Sequence, residues 1–130
     1  MKKIILFLLF FLLIYYLFIT NNNQCKNRSA RIYKINDKNY CLLIGSSRTE
    51  WERGLMFYKK PVDFDGMIFI FPDKDYRTFW NKNTYLDLDV YWLNDDKVVG
   101  KSFLPSILKS KKVVTVGSGE EVNRVVEIIF

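Results

Sequence analysis

Histidine is absent from this 130-residue sequence, and cysteine occurs only twice. The absence of histidine removes the commonest general base and the commonest zinc ligand. It also excludes a Cys–His nucleophile pair, and two cysteines alone cannot assemble a zinc site of ordinary composition. We therefore expect neither a metal site nor a cofactor, and the sequence identifies no catalytic residue.

A strong excess of basic charge is also lacking. The net charge of +6 falls to +4 once Lys2 and Lys3, which belong to the N-terminal segment, are set aside. Nucleic-acid binding usually requires a clustered basic face. The one dense cluster is Lys109, Lys111 and Lys112, which fits either a solvated loop or a contact with anionic lipid head groups. We expect no nucleic-acid partner.

A long hydrophobic run is present at the N-terminus. Lys2 and Lys3 precede an unbroken apolar stretch at residues 4–19, and a soluble helix does not need apolar side chains on every face. Sixteen helical residues span about 24 Å, somewhat less than the hydrocarbon core of a bilayer. We expect residues 1–22 to form a transmembrane anchor or uncleaved signal that contacts the bilayer through residues 4–19. A cleaved signal peptide is the alternative.

The charges around this segment bear on its orientation. Lys2 and Lys3 favour a cytoplasmic N-terminus, whereas the basic residues between 26 and 38 favour the opposite. Because residues 20–25 are uncharged, we expect a single-pass membrane protein with its domain on the extracytoplasmic side. In that compartment Cys25 and Cys41 can pair, and in a reducing one they would stay free.

Residues 31–130 follow a linker at residues 23–30 and read as one strand-rich domain. Aromatic residues make up 17% of the chain, which favours a folded core. A capping box from Ser47 to Glu50 predicts a short helix that turns Trp51 and Leu55 towards the core. Strands are predicted at residues 31–35, 39–44, 66–71, 76–82, 85–93, 98–103, 113–116 and 124–129. Residues 36–38 (NDK) predict a hairpin turn between the first two strands, and within 85–93 one face carries Leu86, Leu88, Val90 and Trp92. This pattern predicts a mainly β (α+β) fold, as a curled antiparallel or mixed sheet or a small barrel with one short helix.

Two short segments carry polar groups that could have a function. Residues 79–84 combine aromatic rings with a cation, two amides and a hydroxyl, which suits either a ligand pocket or a buried structural network in which Asn83 and Asp89 satisfy backbone groups. Asp87 and Asp89 lie two apart on a strand and point away from Leu86 and Leu88. Such a pair could divide acid and base roles, or could simply face solvent.

Four blocks of sequence carry a family resemblance. They are Arg53–Met56 (RGLM), Gly66–Pro72 (GMIFIFP), Phe79–Thr84 (FWNKNT) and Leu88–Asp89. Across residues 31–104 their order and spacing resemble the Domain of Unknown Function 192 family. The resemblance implies a compact, β-rich, barrel-like domain with a short helix, often behind a signal sequence or membrane anchor. It implies no established activity.

The sequence also departs from that family. The family usually has Met where Asn81 stands and Pro where Asp87 stands. Residues 113–130 follow its C-terminal pattern loosely and could have lost a short helix. The family resemblance places six residues in a hypothetical ligand site: Arg53, Trp80, Lys82, Asn83, Thr84 and Asp89.

Trp80 would stack on an apolar or sugar ring face, and Asn83 and Thr84 would form hydrogen bonds. Arg53 and Asp89 would either contact the ligand or pair with each other. The expected function is a membrane-anchored extracytoplasmic module that binds an unknown small ligand or acts as an accessory protein. The alternatives are an enzyme with Asp87 or Asp89 as its base, and a structural partner of an envelope protein.

Overall fold

The N-terminal segment is one long helix in the computed structural model, which describes residues 1–21 and 24–130. Helix α1 spans Lys2–Asn21, and its 20 residues correspond to about 30 Å, the thickness of a bilayer core. Every side chain from Ile4 to Ile19 is exposed. Among the described residues this is the one helix long and apolar enough to cross a membrane. It has the form of a single-pass anchor or of a signal sequence.

The domain is a single six-stranded mixed sheet with two short helices. Strands β2 and β3 pair in parallel, and the other neighbouring pairs are antiparallel in the order β1-β2-β3-β6-β4-β5. The elements are β1 (Arg31–Ile35), β2 (Lys38–Gly45), α2 (Arg48–Arg53), β3 (Gly66–Trp80), β4 (Leu88–Asn94), β5 (Lys97–Leu104), α3 (Ile107–Ser110) and β6 (Thr115–Ile129). The mainly β prediction is confirmed. Because β1 and β5 form open edges, the small-barrel alternative is wrong, and α3 adds a second helix to the one expected.

Local sequence signals account for the hairpin and for α2. Asn36 and Asp37 both have positive φ, as the tight turn between β1 and β2 requires. At the start of α2 the Ser47 hydroxyl accepts a hydrogen bond from the backbone amide of Glu50, with 3.3 Å between the oxygen and the nitrogen. The Glu50 carboxylate accepts from the Ser47 amide at 2.9 Å, which completes the predicted capping box.

Strands β3 and β6 are longer than the sequence predicts. Residues 66–71 and 76–82 were expected as separate strands around Asp73–Asp75, but β3 continues through that segment with a register shift against β6. The two strands expected near the C-terminus are likewise joined in β6. A β-bulge absorbs turn-forming residues without ending a strand. Residues 115–129 thus form strand, not the C-terminal helix of the family pattern.

Apolar residues pack into two clusters. The cluster that contacts α2 includes Leu55, Phe69, Trp92 and Val125, and the other is built around Ile68. In β4 the predicted alternation is confirmed, since Leu88, Val90 and Trp92 are all fully buried. Helix α2 lies against the first cluster through the partly buried Trp51, and the buried Leu55 follows just after the helix ends. This packing positions the site described below.

A disulfide joins Cys25 to Cys41, with 5.6 Å between their Cα atoms. Cys41 lies in β2, and Cys25 comes from the segment that precedes the domain. The bond fastens this segment to the sheet, and both cysteines pack against the first cluster.

Candidate functional site

A groove of about 450 Å³ lies between α2 and the outer half of β3. We call it the aromatic groove, and its rings are those of Trp51, Phe71, Tyr76, Phe79 and Trp80. The Trp51 indole donates to the Gly45 carbonyl at 3.1 Å and packs 4.8 Å from the Phe71 ring, so its orientation is fixed. Tyr76 and Trp80 are 67% and 47% exposed, and their rings are available for contact.

The charged groups at this groove are already paired with protein atoms. Arg77 lies 4.0 Å from the Phe71 ring centre and donates to Asp73 at 2.9 Å. Arg48 pairs with Glu52 at 2.9 Å. A ligand in the groove would therefore contact aromatic rings, because the charged side chains that line it are already paired with other protein groups.

A second, much smaller cavity of about 20 Å³ adjoins the groove. Trp51, Glu52, Phe79 and Trp80 line both spaces. The carboxyl group of Glu127 also lines the small cavity. Its side chain is 4% exposed, and among the described residues its Oε2 atom has no hydrogen-bond partner. Burial raises the pKa of Glu127 to about 8.

The sequence analysis missed Glu127. The sequence feature that marks it is a single acidic residue within the apolar run VVEII, at residues 125–129. Strand alternation places Glu127 on the same face as Val125, which belongs to the first core cluster. A lone carboxylate on the apolar face of a strand is rarely fully buried without a partner, and this could have marked it.

Gly54 borders the same cavity. Its φ is +49°, a backbone conformation that favours glycine. A Cβ at this position would lie 3.3 Å from the Phe69 ring and 4.0 Å from Glu127 Oε2. The absence of a side chain at the end of α2 therefore preserves the space around the carboxyl group.

Three of the six predicted site residues meet at this cavity: Arg53, Trp80 and Thr84. Lys82 lies close by, with its ammonium 5.1 Å from the Trp80 ring centre. Asn83 contributes through its backbone, because it has positive φ and its carbonyl accepts from the Phe57 amide at 2.9 Å. This bond ties the segment after α2 to the segment after β3.

Asp89 lies outside the groove and the cavity. It accepts from Lys101 at 3.0 Å, and this hydrogen bond raises the pKa of Lys101. The alternative in which Arg53 pairs with Asp89 is therefore wrong. Asp87 lies 4.0 Å from Lys109 and accepts from the Ser106 amide at 2.8 Å. Both carboxylates considered as enzymatic bases thus have lysine partners, and neither lines the aromatic groove.

Asn81 forms a buried structural network instead. It is fully buried, and its amide donates to the Pro105 carbonyl and to Ser110 Oγ, both at 2.8 Å. Its Oδ1 accepts from the Val114 amide at 2.7 Å. The buried network of this segment is thus centred on Asn81, whereas the sequence analysis assigned it to Asn83 and Asp89. The ring of Trp80 belongs to the groove.

Comparisons with known proteins agree with this architecture. One solved structure, a protein of unknown function from Novosphingobium aromaticivorans, is 22% identical with a TM-score of 0.63, covering 77% of this chain and 73% of its own. Another, described as a "putative transcription regulator" from Sinorhizobium meliloti, is 24% identical with a TM-score of 0.55, covering 77% and 78%. These likenesses concern the fold alone.

No curated protein matches the sequence. The family model described as "Uncharacterized ACR", Domain of Unknown Function 192, matches residues 31–129. That range contains the whole sheet, both short helices and every residue of the aromatic groove. The chain therefore belongs to the Domain of Unknown Function 192 family.

Proposed function

We propose that this protein is a membrane-anchored extracytoplasmic module that binds a small ligand in the aromatic groove. The observation that carries the proposal is the concentration of exposed rings beside α2. Trp80 and Tyr76 remain open to solvent, although burying a large ring is among the main sources of folding free energy. Small-molecule sites are typically concave and lined by apolar and aromatic side chains with a few polar groups.

Two features support the membrane and extracytoplasmic parts of the proposal. Helix α1 is long enough to span a bilayer, and Lys2 and Lys3 precede it. The Cys25–Cys41 disulfide is typical of proteins that fold in an oxidising compartment. A topology reporter fused after residue 130 tests this. We expect alkaline phosphatase to be active and a fluorescent protein that folds only in the cytoplasm to be dark, and the reverse pattern would contradict export.

The groove is tested with Trp80→Ala and a matched control. Phe103 is a similarly exposed aromatic residue outside the groove, so Phe103→Ala removes a ring without changing the site. We use 2-phenylethanol and indole as ring probes at millimolar concentration, with titration calorimetry as the readout. A saturable heat of binding is expected in the wild type and in Phe103→Ala, and its loss in Trp80→Ala.

The thermal midpoint of Trp80→Ala decides between a binding and a structural role. Because its ring is half exposed, we expect the substitution to cost less than about 1.5 kcal/mol of unfolding free energy. A variant that no longer unfolds cooperatively would make Trp80 structural, and a heat of binding that survives the substitution would remove the groove as the site.

A second candidate function is that of a partner of an envelope protein. An exposed apolar cluster favours it: Phe103, Leu108 and Phe130 are 45%, 59% and 60% exposed, and the Phe103 and Phe130 rings lie 5.5 Å apart. A photo-crosslinker at Leu108 in intact membranes should capture one specific protein. A crosslinker at exposed Thr115 is the control, and equal capture at both positions would count against this candidate.

A further inference from the structure

One oxygen of the buried Glu127 carboxyl group is left unsatisfied within the part of the chain that the structure describes. Among the described residues its Oε2 atom lacks a partner, and the side chain is almost completely buried. A buried polar group without a partner is costly, and native proteins usually satisfy such groups. The space beside it measures about 20 Å³, which accommodates one group the size of a water molecule.

We propose that the aromatic groove and the Glu127 cavity form one site for a ligand that carries a primary ammonium group on a ring-bearing body. This inference rests on the proposed function, because the body of the ligand would occupy the groove. The two spaces share the walls formed by Trp51, Glu52, Phe79 and Trp80. A ligand lying on the Trp80 ring can therefore extend a short head group towards Glu127.

The size and lining of the cavity select the head group. A primary ammonium is about as large as a water molecule and donates three hydrogen bonds, which suits an acceptor that lacks a donor. The neighbouring rings of Trp51, Phe79 and Trp80 present electron-rich faces that attract cations. A trimethylammonium group is several times larger than the space and donates no hydrogen bond, so it should be excluded.

The charged groups around Glu127 do not prevent an ammonium group from binding beside it. Arg53 and Glu52 of α2 line the cavity with opposite charges, and both are exposed to solvent, which screens them. The neighbours of Glu127 in the sheet are uncharged, namely Met67 of β3 and Val90 of β4. Thr84 is also neutral. Glu127 is therefore the one buried ionisable group that faces the cavity among the described residues.

Binding would be linked to a proton. Below pH 8 the carboxyl group is protonated, because burial raises the pKa of Glu127 to about 8. When the ammonium group enters, the Glu127 O–H bond breaks and the proton leaves to solvent. The carboxylate then pairs with the cation. At pH 7 about 0.9 proton should be released for each ligand bound, and at pH 9 almost none.

The test uses the full chain in detergent micelles, with empty micelles as the reference. Three matched probes each carry a phenyl ring and differ only in the head group: 2-phenylethylamine, neutral 2-phenylethanol and the N,N,N-trimethyl derivative of the amine. Titration calorimetry at pH 7 and pH 9, each in two buffers that differ in ionisation enthalpy and lack a primary amine, gives affinity and proton release. We expect the amine to bind at least tenfold more tightly than the alcohol or the trimethyl probe.

Two substitutions locate the group responsible. Glu127→Gln should remove the tenfold preference and the proton release, whereas Glu120→Gln, at an exposed carboxylate of the same strand that lines neither space, should leave both unchanged. If the alcohol and the amine bind equally, or if no proton is released on amine binding to the wild type, the ammonium proposal fails while the groove proposal stands. If no probe binds to the wild type, or if Trp80→Ala leaves the affinity for every probe unchanged, the proposed function fails as well. The proton measurement on wild-type protein does not depend on the folding of Glu127→Gln.

Discussion

At the scale of single residues, Glu127 should control how stability depends on pH. Its pKa is raised from 4.5 to about 8 by burial, so the folded state binds an extra proton between these values. Unfolding free energy should therefore fall as pH rises from about 5 to 8, by several kcal/mol in total, and level off above pH 8. Urea midpoints between pH 5 and 9 measure this slope.

Glu127→Gln is the control for that slope. Glutamine matches the protonated side chain in shape and does not titrate, so the variant should show little change over the same range. Glu50 and Asp95 do not contribute to the change in unfolding free energy between pH 5 and 8. Hydrogen bonds, chiefly from the Ser46 amide and from Asn123, lower the pKa of Glu50 and of Asp95 and confine their effects to acidic pH. An equally steep slope in Glu127→Gln would contradict the assignment.

The buried side chain of Asn81 holds neighbouring segments together through hydrogen bonds. The family resemblance predicts Met at this position, whereas the Asn81 side chain forms hydrogen bonds with Pro105, Ser110 and Val114. We expect Asn81→Met to lose about 2 to 4 kcal/mol of unfolding free energy, because buried backbone groups lose their partners. Chemical denaturation measures the change.

The adjacent Lys82 supplies the matched control. It is exposed, so Lys82→Met should change stability by less than about 0.5 kcal/mol. A loss of similar size in both variants would mean that the introduced methionine, rather than the broken network, causes it.

At the scale of structural elements, the Cys25–Cys41 disulfide determines how the segment before the domain is held against β2. The two cysteines are 16 residues apart, and closing a loop of this size stabilises the folded state by about 3 kcal/mol. We expect Cys25→Ser/Cys41→Ser to lose about that amount in urea denaturation. Adding a reducing agent should lower the wild-type midpoint to the same value and should leave the variant unchanged. A wild-type midpoint that does not respond to reduction would contradict a structural role for the bond.

The long strands are the elements that sequence patterns predicted least well. Pro72 and Asp73–Asp75 have the composition of a turn, and the segment around Gly117 and Gly119 does too. Pairing between β3 and β6 continues on both sides of these segments, with register shifts that absorb the irregular residues. Since these contacts join residues 35 to 62 positions apart, local composition carries no information about them.

At the scale of the whole molecule, the proposed membrane anchor is tested on α1. Leu9 and Leu12 lie in the middle of the apolar helix, and both are exposed. We expect the wild-type chain to resist extraction from membranes at alkaline pH. Leu9→Arg/Leu12→Arg should release it, because each arginine near the bilayer centre costs about 2.5 to 3.5 kcal/mol on insertion scales.

Leu9→Ala/Leu12→Ala is the control, since it changes the same positions without adding charge, and it should remain in the membrane fraction. The mass of the wild-type protein recovered from that fraction distinguishes an anchor from a signal peptide. A mature chain that lacks α1 would show that the helix is cleaved.

The sequence alone determined the features that depend on neighbouring residues. The apolar run predicted α1, the capping box predicted α2, and the positions of Asn36 and Asp37 predicted the first hairpin. The alternation in β4 predicted a buried row of side chains. In each case hydrogen bonding or burial follows from residues within a few positions of one another.

The tertiary structure alone decided the candidate site. The sequence placed Trp80, Thr84 and Arg53 in the expected pocket, but it also included Asp89, which pairs with Lys101 elsewhere. It omitted Glu127, because only the pairing of β6 between β3 and β4 brings that carboxyl group beneath α2. The burial of a charge depends on every element packed around it, and no local pattern specifies that environment.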